Sequence, residues 1–523
     1  MKVLLLICCC LVLLTDAESA RILGIFPMAG TSHNILTSKL MRGLVAAGHD
    51  VTMISCYPMK DVPKNGKYTD IVLDGFAERH FEMVFKMNLF EFQNQGILQV
   101  MYHMSYLTIR DTNDTFHHPK VRQLLASNQQ FDAVIVEQFW NDALKVFAHI
   151  YSCPLIVLSS MGPNPWVNPT VGNPQPVSYV PHLLSGDFSR DLSIWNRATN
   201  MVAYLLEYLV TQFITLPANE KIMHQAFPNS PPLYDIYTNV SLVLLNSHTS
   251  LYPALPTVPN MVEIGGFFVD PPKKLPDDIQ TFLDSATDGA IYFSMGSNLK
   301  SKDIPPERRQ ILLNVLGKLK MKVLWKFEED LPGRPANVMI RSWLPQQDIL
   351  AHPNIKLFIT HGGLLSTTET VYHGVPILAL PVFGDQSSNA DRAVYNGYGL
   401  KLHYNDPNFS EELLEKLILE LLNNPKYRKN VQEKSKIFHD RSQKPMDTAV
   451  YWIEYVIRHK GAPHLRVAGV RLPWYKYFML DVLGIAFFGL FAAVFALKSL
   501  LGRLCRRKGR PVASKKGKKV KKQ

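Results

Sequence analysis

The sequence predicts an α/β protein built from two doubly wound halves, and three observations carry that expectation. Short apolar runs alternate with helical stretches twice over, first from Arg21 and again from Ala290. A proline-rich segment, Asp270-Pro271-Pro272-Lys273-Lys274-Leu275-Pro276, separates the two series as an interdomain linker would. In the second half, Leu357-Phe358-Ile359-Thr360 runs through His361-Gly362-Gly363 into a helical stretch, Leu364 to His373, which is closed by Gly374 and Pro376. Two glycines between a strand end and a helix start let backbone N–H groups approach an anion at the positive end of the helix. That turn is a place to hold a diphosphate without a metal.

A length of 523 residues suits two or three domains, each large enough for a real core. Residues 1–20 begin with Lys2, run apolar from Val3 to Leu14 and end with Ala17 and Ala20, the pattern of a secretory signal peptide. Arg21 to Pro27 reads as the first strand, and Ser32 is expected to cap a helix from Asn34 that carries Leu36, Leu40 and Leu44 on one face and stops at Gly48. Val51 to Ser55 is the next strand. His33 therefore falls at a strand-to-helix corner, on the rim where such sheets bind ligands; on the residues alone, a polar cap residue is the simpler reading. Phe131 to Val136 is a buried strand followed by two acids, Glu137 and Asp142, and Pro154 to Leu158 is another strand. Residues 21–269 are assigned to the first domain, 270–280 to the linker and 281–460 to the second. The second domain includes the strands Ala290–Phe293 and Val323–Phe327, and a last helix, Asp447 to His459, which returns to the first.

The net charge of +12 is a property of the tail, because residues 498–523 hold twelve of the 56 basic residues and leave 44 against 44 acids elsewhere. No basic stripe with interleaved aromatics occurs in the body, which argues against nucleic acid. Residues 477–497 are apolar apart from Asp481, with Trp474, Tyr475 and Tyr477 at one edge and the basic tail at the other. This predicts one transmembrane helix with the tail in the cytosol and the body in the lumen. Lys519 and Lys521, fifth and third from the end, resemble a di-lysine endoplasmic-reticulum retrieval signal. Asn113, Asn239 and Asn408 open glycosylation sequons, whereas Pro169 blocks one at Asn168. Once the signal peptide is cut, Cys56 and Cys153 are the cysteines of the translocated body, read as two buried thiols with a single bridge as the alternative. No ligand-spaced Cys/His cluster supports a metal site.

Around the glycine turn, polar residues stand at fixed offsets: Trp343 and Gln346 upstream, then His361, Ser366, Glu369, Asp385 and Gln386. This W-x-x-Q, T-H-x-G, S-x-x-E and closing D-Q pattern resembles the donor-binding signature of the UDP-glycosyltransferase family, and the wording THGGLLST is similar to that of its insect members. Weaker similarity runs along the whole chain.

The resemblance implies the GT-B architecture, two Rossmann-like domains facing across a cleft. It implies that Trp343 stacks on uracil with Gln346 beside it, and that Glu369 accepts hydrogen bonds from the ribose hydroxyls. His361, Gly363, Ser366 and Ser297 would meet the phosphates, and Asp385 and Gln386 the sugar. It also implies that His33 is the catalytic base, with Glu137 or Asp142 orienting it. The aromatic, methionine-rich and proline-rich stretches 58–115 and 161–232 become acceptor-pocket segments, or else ordinary core helices. One departure is Leu365, where many relatives carry Asn. The expected activity is inverting, metal-independent transfer of a hexose from a UDP-sugar to a hydroxyl of a small lipophilic acceptor. Glucose is favoured over glucuronate, and the UDP-sugar is a co-substrate rather than a cofactor. The expected location is the endoplasmic-reticulum membrane, single-pass and type I. A non-catalytic binder of lipophilic molecules on the same fold and a soluble secreted transferase are the alternatives, and the oligomeric state stays open.

Overall fold

The computed structural model describes residues 19–86, 90, 97–183 and 193–508, so the expected signal peptide, up to residue 18, and the tail lysines Lys519 and Lys521 lie outside the described residues. The chain forms a compact body through Val467 and a separate unit from Ala468 onward.

Within the body are two parallel sheets. The first consists of β1 (Arg21–Phe26), β2 (Asp50–Ser55), β3 (Lys67–Val72), β4 (Ala133–Glu137), β5 (Leu155–Ser159), β6 (Val240–Leu245) and β7 (Met261–Glu263), in the order β3-β2-β1-β4-β5-β6-β7. The second contains β8 (Ala290–Ser294), β9 (Lys322–Lys326), β10 (Val338–Arg341), β11 (Ile355–Thr360), β12 (Ile377–Ala379) and β13 (Gly399–Lys401), in the order β10-β9-β8-β11-β12-β13. Central strands such as Ala133–Glu137 and Ala290–Ser294 are buried at every position. That is why they read as unbroken apolar runs rather than as alternation: helices cover both faces of a parallel sheet. Each sheet reverses its winding beside its first strand, between β1 and β4 and between β8 and β11. Ligand crevices open at such a reversal, outside the carboxyl ends of the strands.

Helix α1 (Thr31–Ala46) starts earlier than expected. Gly30, in extended backbone, is its N-cap with no side-chain cap, so Ser32 lies inside the first turn and does not cap the helix. Its buried stripe is the expected one, with Leu36, Leu40 and Leu44 all nearly inaccessible. Further along, α2 (Ile97–His117), α3 (Ile194–Val210) and α4 (Leu216–Ala226) build the outer wall of the first lobe. The connection between lobes is shorter than residues 270–280. A helix spans Asp277–Asp284, started by Pro276 and by Asp277 and Asp278, whose charges suit its amino end.

The second lobe places α5 (Gln346–Leu350), α6 (Leu364–His373) and α7 (Gln386–Tyr395) around β11 and β12. Gly374 ends α6 in the left-handed region, at φ +68°, a conformation that costs glycine nothing. Then α8 (Pro445–Arg458) returns to the first lobe and buries Ala449, Ile453 and Val456 in the same core as Leu40 and Leu44. Full burial of Ile453 or Val456 stabilises by roughly 1.5–3 kcal/mol each. The two crossings meet on one helix. Asp270, where the chain leaves the first lobe, pairs with Lys39, and Met446, where it comes back, packs on Gly43 one turn away, where a Cβ would collide with it.

In the second unit, α9 (Leu480–Lys508) begins three residues after the expected start of the span at residue 477. Trp474–Tyr477 is a separate helical turn, and Met479 at φ +55° breaks the helix between them. The most apolar eighteen residues of Leu480–Leu504 have a mean hydropathy of 2.3 and none of them is buried; the stretch is long and apolar enough to cross a bilayer.

Candidate active site

A cleft of about 560 Å³ lies between the two lobes, lined by the loops that follow β1, β8 and β11 together with parts of the outer wall. Of the residues singled out from the sequence, His33, Ser297, Trp343, Gln346, His361, Gly363, Ser366, Glu369, Asp385 and Gln386 all line it.

On the first-lobe side, His33 sits in the first turn of α1 and Glu137 is the last residue of β4, neighbours across the winding reversal. Nδ1–H of His33 donates to Glu137 Oε1 at 2.5 Å, and the carboxylate is almost wholly buried while the imidazole is 17% exposed. Phe139 packs edge-on against the ring with centroids 5.0 Å apart. Burial on its own would depress the His33 pKa, but the Glu137 charge, its hydrogen bond and the more distant Asp385 outweigh that and hold it above the ordinary value. With Nδ1 engaged, Nε2 is the nitrogen left to exchange a proton. Asp142, the other candidate partner, does not reach His33. Its carboxylate is buried, paired with Lys145 at 2.7 Å and accepting from Gln138 at 2.8 Å.

Across the cleft, the turn after β11 cradles His361. A Cβ on Gly296 or on Gly363 would strike the imidazole, and Gly296 is also held at φ +86°, so both turns require glycine. The sequence places Gly296 in the turn Ser294-Met295-Gly296-Ser297 after β8 but assigns it no role; a glycine just past a strand end is the available signal. Burial and the Lys326 charge lower the His361 pKa to about 4, leaving a neutral ring. Trp343 is 63% exposed, on the rim and not in the core. Lys326 Nζ lies 5.8 Å from its ring centre.

Glu369 is buried and accepts hydrogen bonds from both Gln346 and Gln347. Gln346 also donates to Ser366 Oγ at 3.0 Å and accepts from the Tyr292 hydroxyl at 3.2 Å. Burial raises the Glu369 pKa to about 7 despite these donors. Gln347 and Tyr292 are further participants that the motif did not name. Gln347 also accepts from the Asp270 N–H at 3.0 Å, which ties the Glu369 carboxylate to the interlobe connection. Burial raises the Asp385 pKa too, opposed by a 2.8 Å bond from Asn389 and by the Arg392 and His33 charges. Gln386 Oε1 is taken by the Val382 and Phe383 N–H groups, so its carbonyl holds the loop in shape. Leu365, the departure noted in the motif, makes an apolar contact with the first-lobe core.

The far end of the cleft is apolar, lined by Met28, Met104, Phe139, Trp140, Met161 and Trp166. Methionines and aromatics at such a density give a pocket that adapts its shape. Trp140 holds φ +56°, an unfavourable conformation for a bulky residue. Among the sequons, Asn239 and Asn408 are exposed, whereas Asn113 is half-buried within α2. Cys56 and Cys153 are both free. Among the described residues no group of three or more His, Cys, Asp or Glu side chains is arranged to hold a metal ion.

Comparison with known proteins agrees with this geometry. The chain is 38% identical to UDP-glycosyltransferase UGT5 of Dactylopius coccus over 94% of each sequence. It is 31% identical to human UDP-glucuronosyltransferase 1A10, over 98% of this chain and 96% of the relative. Among solved structures, the calicheamicin glycosyltransferase CalG4 superposes with a TM-score of 0.59 at 15% identity, covering 85% of this chain and all (100%) of the other. That likeness gives the GT-B fold, two Rossmann-like lobes about a cleft. The sequence profile described as UDP-glucoronosyl and UDP-glucosyl transferase matches residues 21–519, and the chain belongs to that family.

Proposed function

We propose that the protein transfers a hexose, glucose in preference to glucuronate, from a UDP-sugar to a hydroxyl of a small lipophilic acceptor with inversion at the anomeric carbon. The observation that carries this reading is the His33–Glu137 pair on one wall of the cleft, opposite the glycine turn at His361-Gly362-Gly363. His33 Nε2 takes the proton of the acceptor hydroxyl, whose oxygen forms a bond to the anomeric carbon as the bond from that carbon to the diphosphate oxygen breaks. Glu137 fixes the tautomer and stabilises the imidazolium as it forms, in the manner of a triad carboxylate. The departing UDP carries new negative charge, which the backbone amides at the start of α6 and the neutral His361 receive. The UDP-sugar is the co-substrate, and no further cofactor or metal is needed.

Two features support a neutral hexose. The Asp385 carboxylate lines the cleft; on this reading it faces the sugar, where a uronate would meet like charge. A further relative, 34% identical over 90% of each chain, is called UDP-glucosyltransferase 2 of Dactylopius coccus. The apolar far end suits lipophilic acceptors. By the same reading the enzyme is anchored in the endoplasmic-reticulum membrane by α9, with its body in the lumen. A donor screen of the purified protein after dialysis against EDTA, with phenols, steroids and plant alcohols as acceptors, tests the proposal. Turnover with UDP-glucose is expected; turnover only with UDP-glucuronate, or only after a divalent ion is restored, overturns the corresponding part.

A further inference from the structure

Helix α3 is built inside out. A turn of π-helix at Thr211–Thr215 joins it to α4 in a continuous helical stretch from Ile194 to Ala226, whose most apolar eighteen residues have a mean hydropathy of 1.3. In water such a helix turns its apolar stripe to the core and its polar side outward. Here the reverse holds. Asn200, Glu207 and Asn219 are buried, and each bonds to the body. Asn200 donates to the Val177 and Val180 carbonyls, Glu207 accepts from Trp166 Nε1 at 2.9 Å, and Asn219 bonds to the Ala143 N–H and the Trp140 carbonyl. The outward side carries Ile194, Trp195, Val202, Leu205, Phe213 and Ile214, of which the first two are 80% and 76% exposed and Phe213 73%. A contiguous apolar face of this kind on a soluble surface marks a contact with something apolar.

We propose that this outer face lies in the surface layer of a lipid bilayer, with α3 and the start of α4 parallel to the membrane. Three observations favour lipid as the occupant. The polar inner side is hydrogen-bonded to the body at Asn200, Glu207 and Asn219, which ties the stretch down against spanning; a helix with one apolar face beds at the headgroup boundary instead. Trp195, Tyr208 and Phe213 lie on the exposed side, and Trp and Tyr are the side chains that settle at that boundary. The chain also carries its own candidate span, α9, joined to the body by residues 468–479. Twelve residues reach at most about 40 Å when extended, so a bilayer is the apolar phase this body meets at high local concentration. The face has a consequence for substrate entry. Val210 of α3 packs directly on the cluster of Phe139, Trp140 and Trp166 that lines the apolar end of the cleft, so one layer of side chains separates the lipid-facing side from the acceptor end.

The test uses the full chain reconstituted in phosphatidylcholine vesicles, with a protease site inserted between Val467 and Ala468. After cleavage and sedimentation, the body is expected to stay with the vesicles at physiological salt. The triple variant Trp195→Ser, Phe213→Ser, Ile214→Ser should be released, with vesicle partition reduced at least tenfold and an unchanged circular-dichroism melt. Should that variant fail to fold, lipids brominated in the acyl chain decide the matter: they should quench a component of the tryptophan fluorescence that disappears in Trp195→Phe. A body that leaves the vesicles completely on cleavage, or quenching that is the same in Trp195→Phe, overturns the proposal, as does a released body that runs as a dimer through this face.

Discussion

The two lobes use the same topological position and fill it differently. On the proposed reading, nearly every residue of the donor site in the second lobe comes from the continuous run Trp343–Gln386, and the side chains already hold one another through Gln346, Gln347, Ser366 and Glu369. In the first lobe the site is assembled from β1, β4, α2 and the segment around Trp166, with a single strong polar contact between His33 and Glu137. A diphosphate and a ribose present the same groups whatever the reaction partner, so one preorganised network serves. A lipophilic acceptor presents mostly shape, which is met by adaptable methionines and aromatics. The lesson is that fixed chemistry is written as a local motif, whereas variable chemistry is spread over distant insertions.

Substitutions should divide along that line. The largest effect is expected for His33→Ala: turnover falls by about 10²–10⁴, the usual worth of a positioned general base, while UDP affinity by calorimetry stays unchanged. Full turnover in that variant would remove the base from the first lobe altogether. Next comes Glu137→Gln, expected to lower kcat by roughly 10² and to move the acid limb of the pH profile downward. The sign follows from the charges. Glu137 helps hold the His33 pKa above its ordinary value, and without it burial dominates and the ring stays neutral to lower pH. Asp142→Asn should leave that limb where it is, because Asp142 belongs to Lys145.

In the second lobe, Trp343→Ala should weaken UDP binding by about 10–100-fold, in line with roughly 1–3 kcal/mol for a base stacked on an aromatic ring, without moving the pH profile of kcat. The smallest effect is the pH dependence of nucleoside binding. Glu369 must be ionised to accept both ribose hydroxyls, and its pKa is raised to about 7. Uridine, which has no phosphate to titrate, should therefore bind about tenfold more weakly at pH 6 than at pH 8. Glu369→Gln should bind more weakly throughout and show no such slope.

Much of the fold was legible because buried parallel strands are short apolar runs bounded by turn residues, as at Ala133–Glu137 and Ile355–Thr360. The edge strands β3, β10 and β13 were not, since Lys67–Val72 is half exposed and the other two span only four and three residues. At the site, the motif named side chains that line the cleft but not their supports. Gln347 and Gly296 matter through what they touch in the folded chain, and no spacing rule announces that. Helix α3 shows a different limit. Periodicity reveals that one side is apolar, but the assumption that this side faces inward fails wherever the outside is not water.

Both chain crossings between the lobes rest on α1, at Lys39 and Gly43, a single turn apart. The second lobe is in effect a cassette spliced into the first, entering and leaving through one doorway; on the proposed reading the first holds the acceptor and the second the donor. Exchanging that cassette between relatives should transplant the choice of sugar while leaving the choice of acceptor with the host, and evolution could diversify either partner without renegotiating the other.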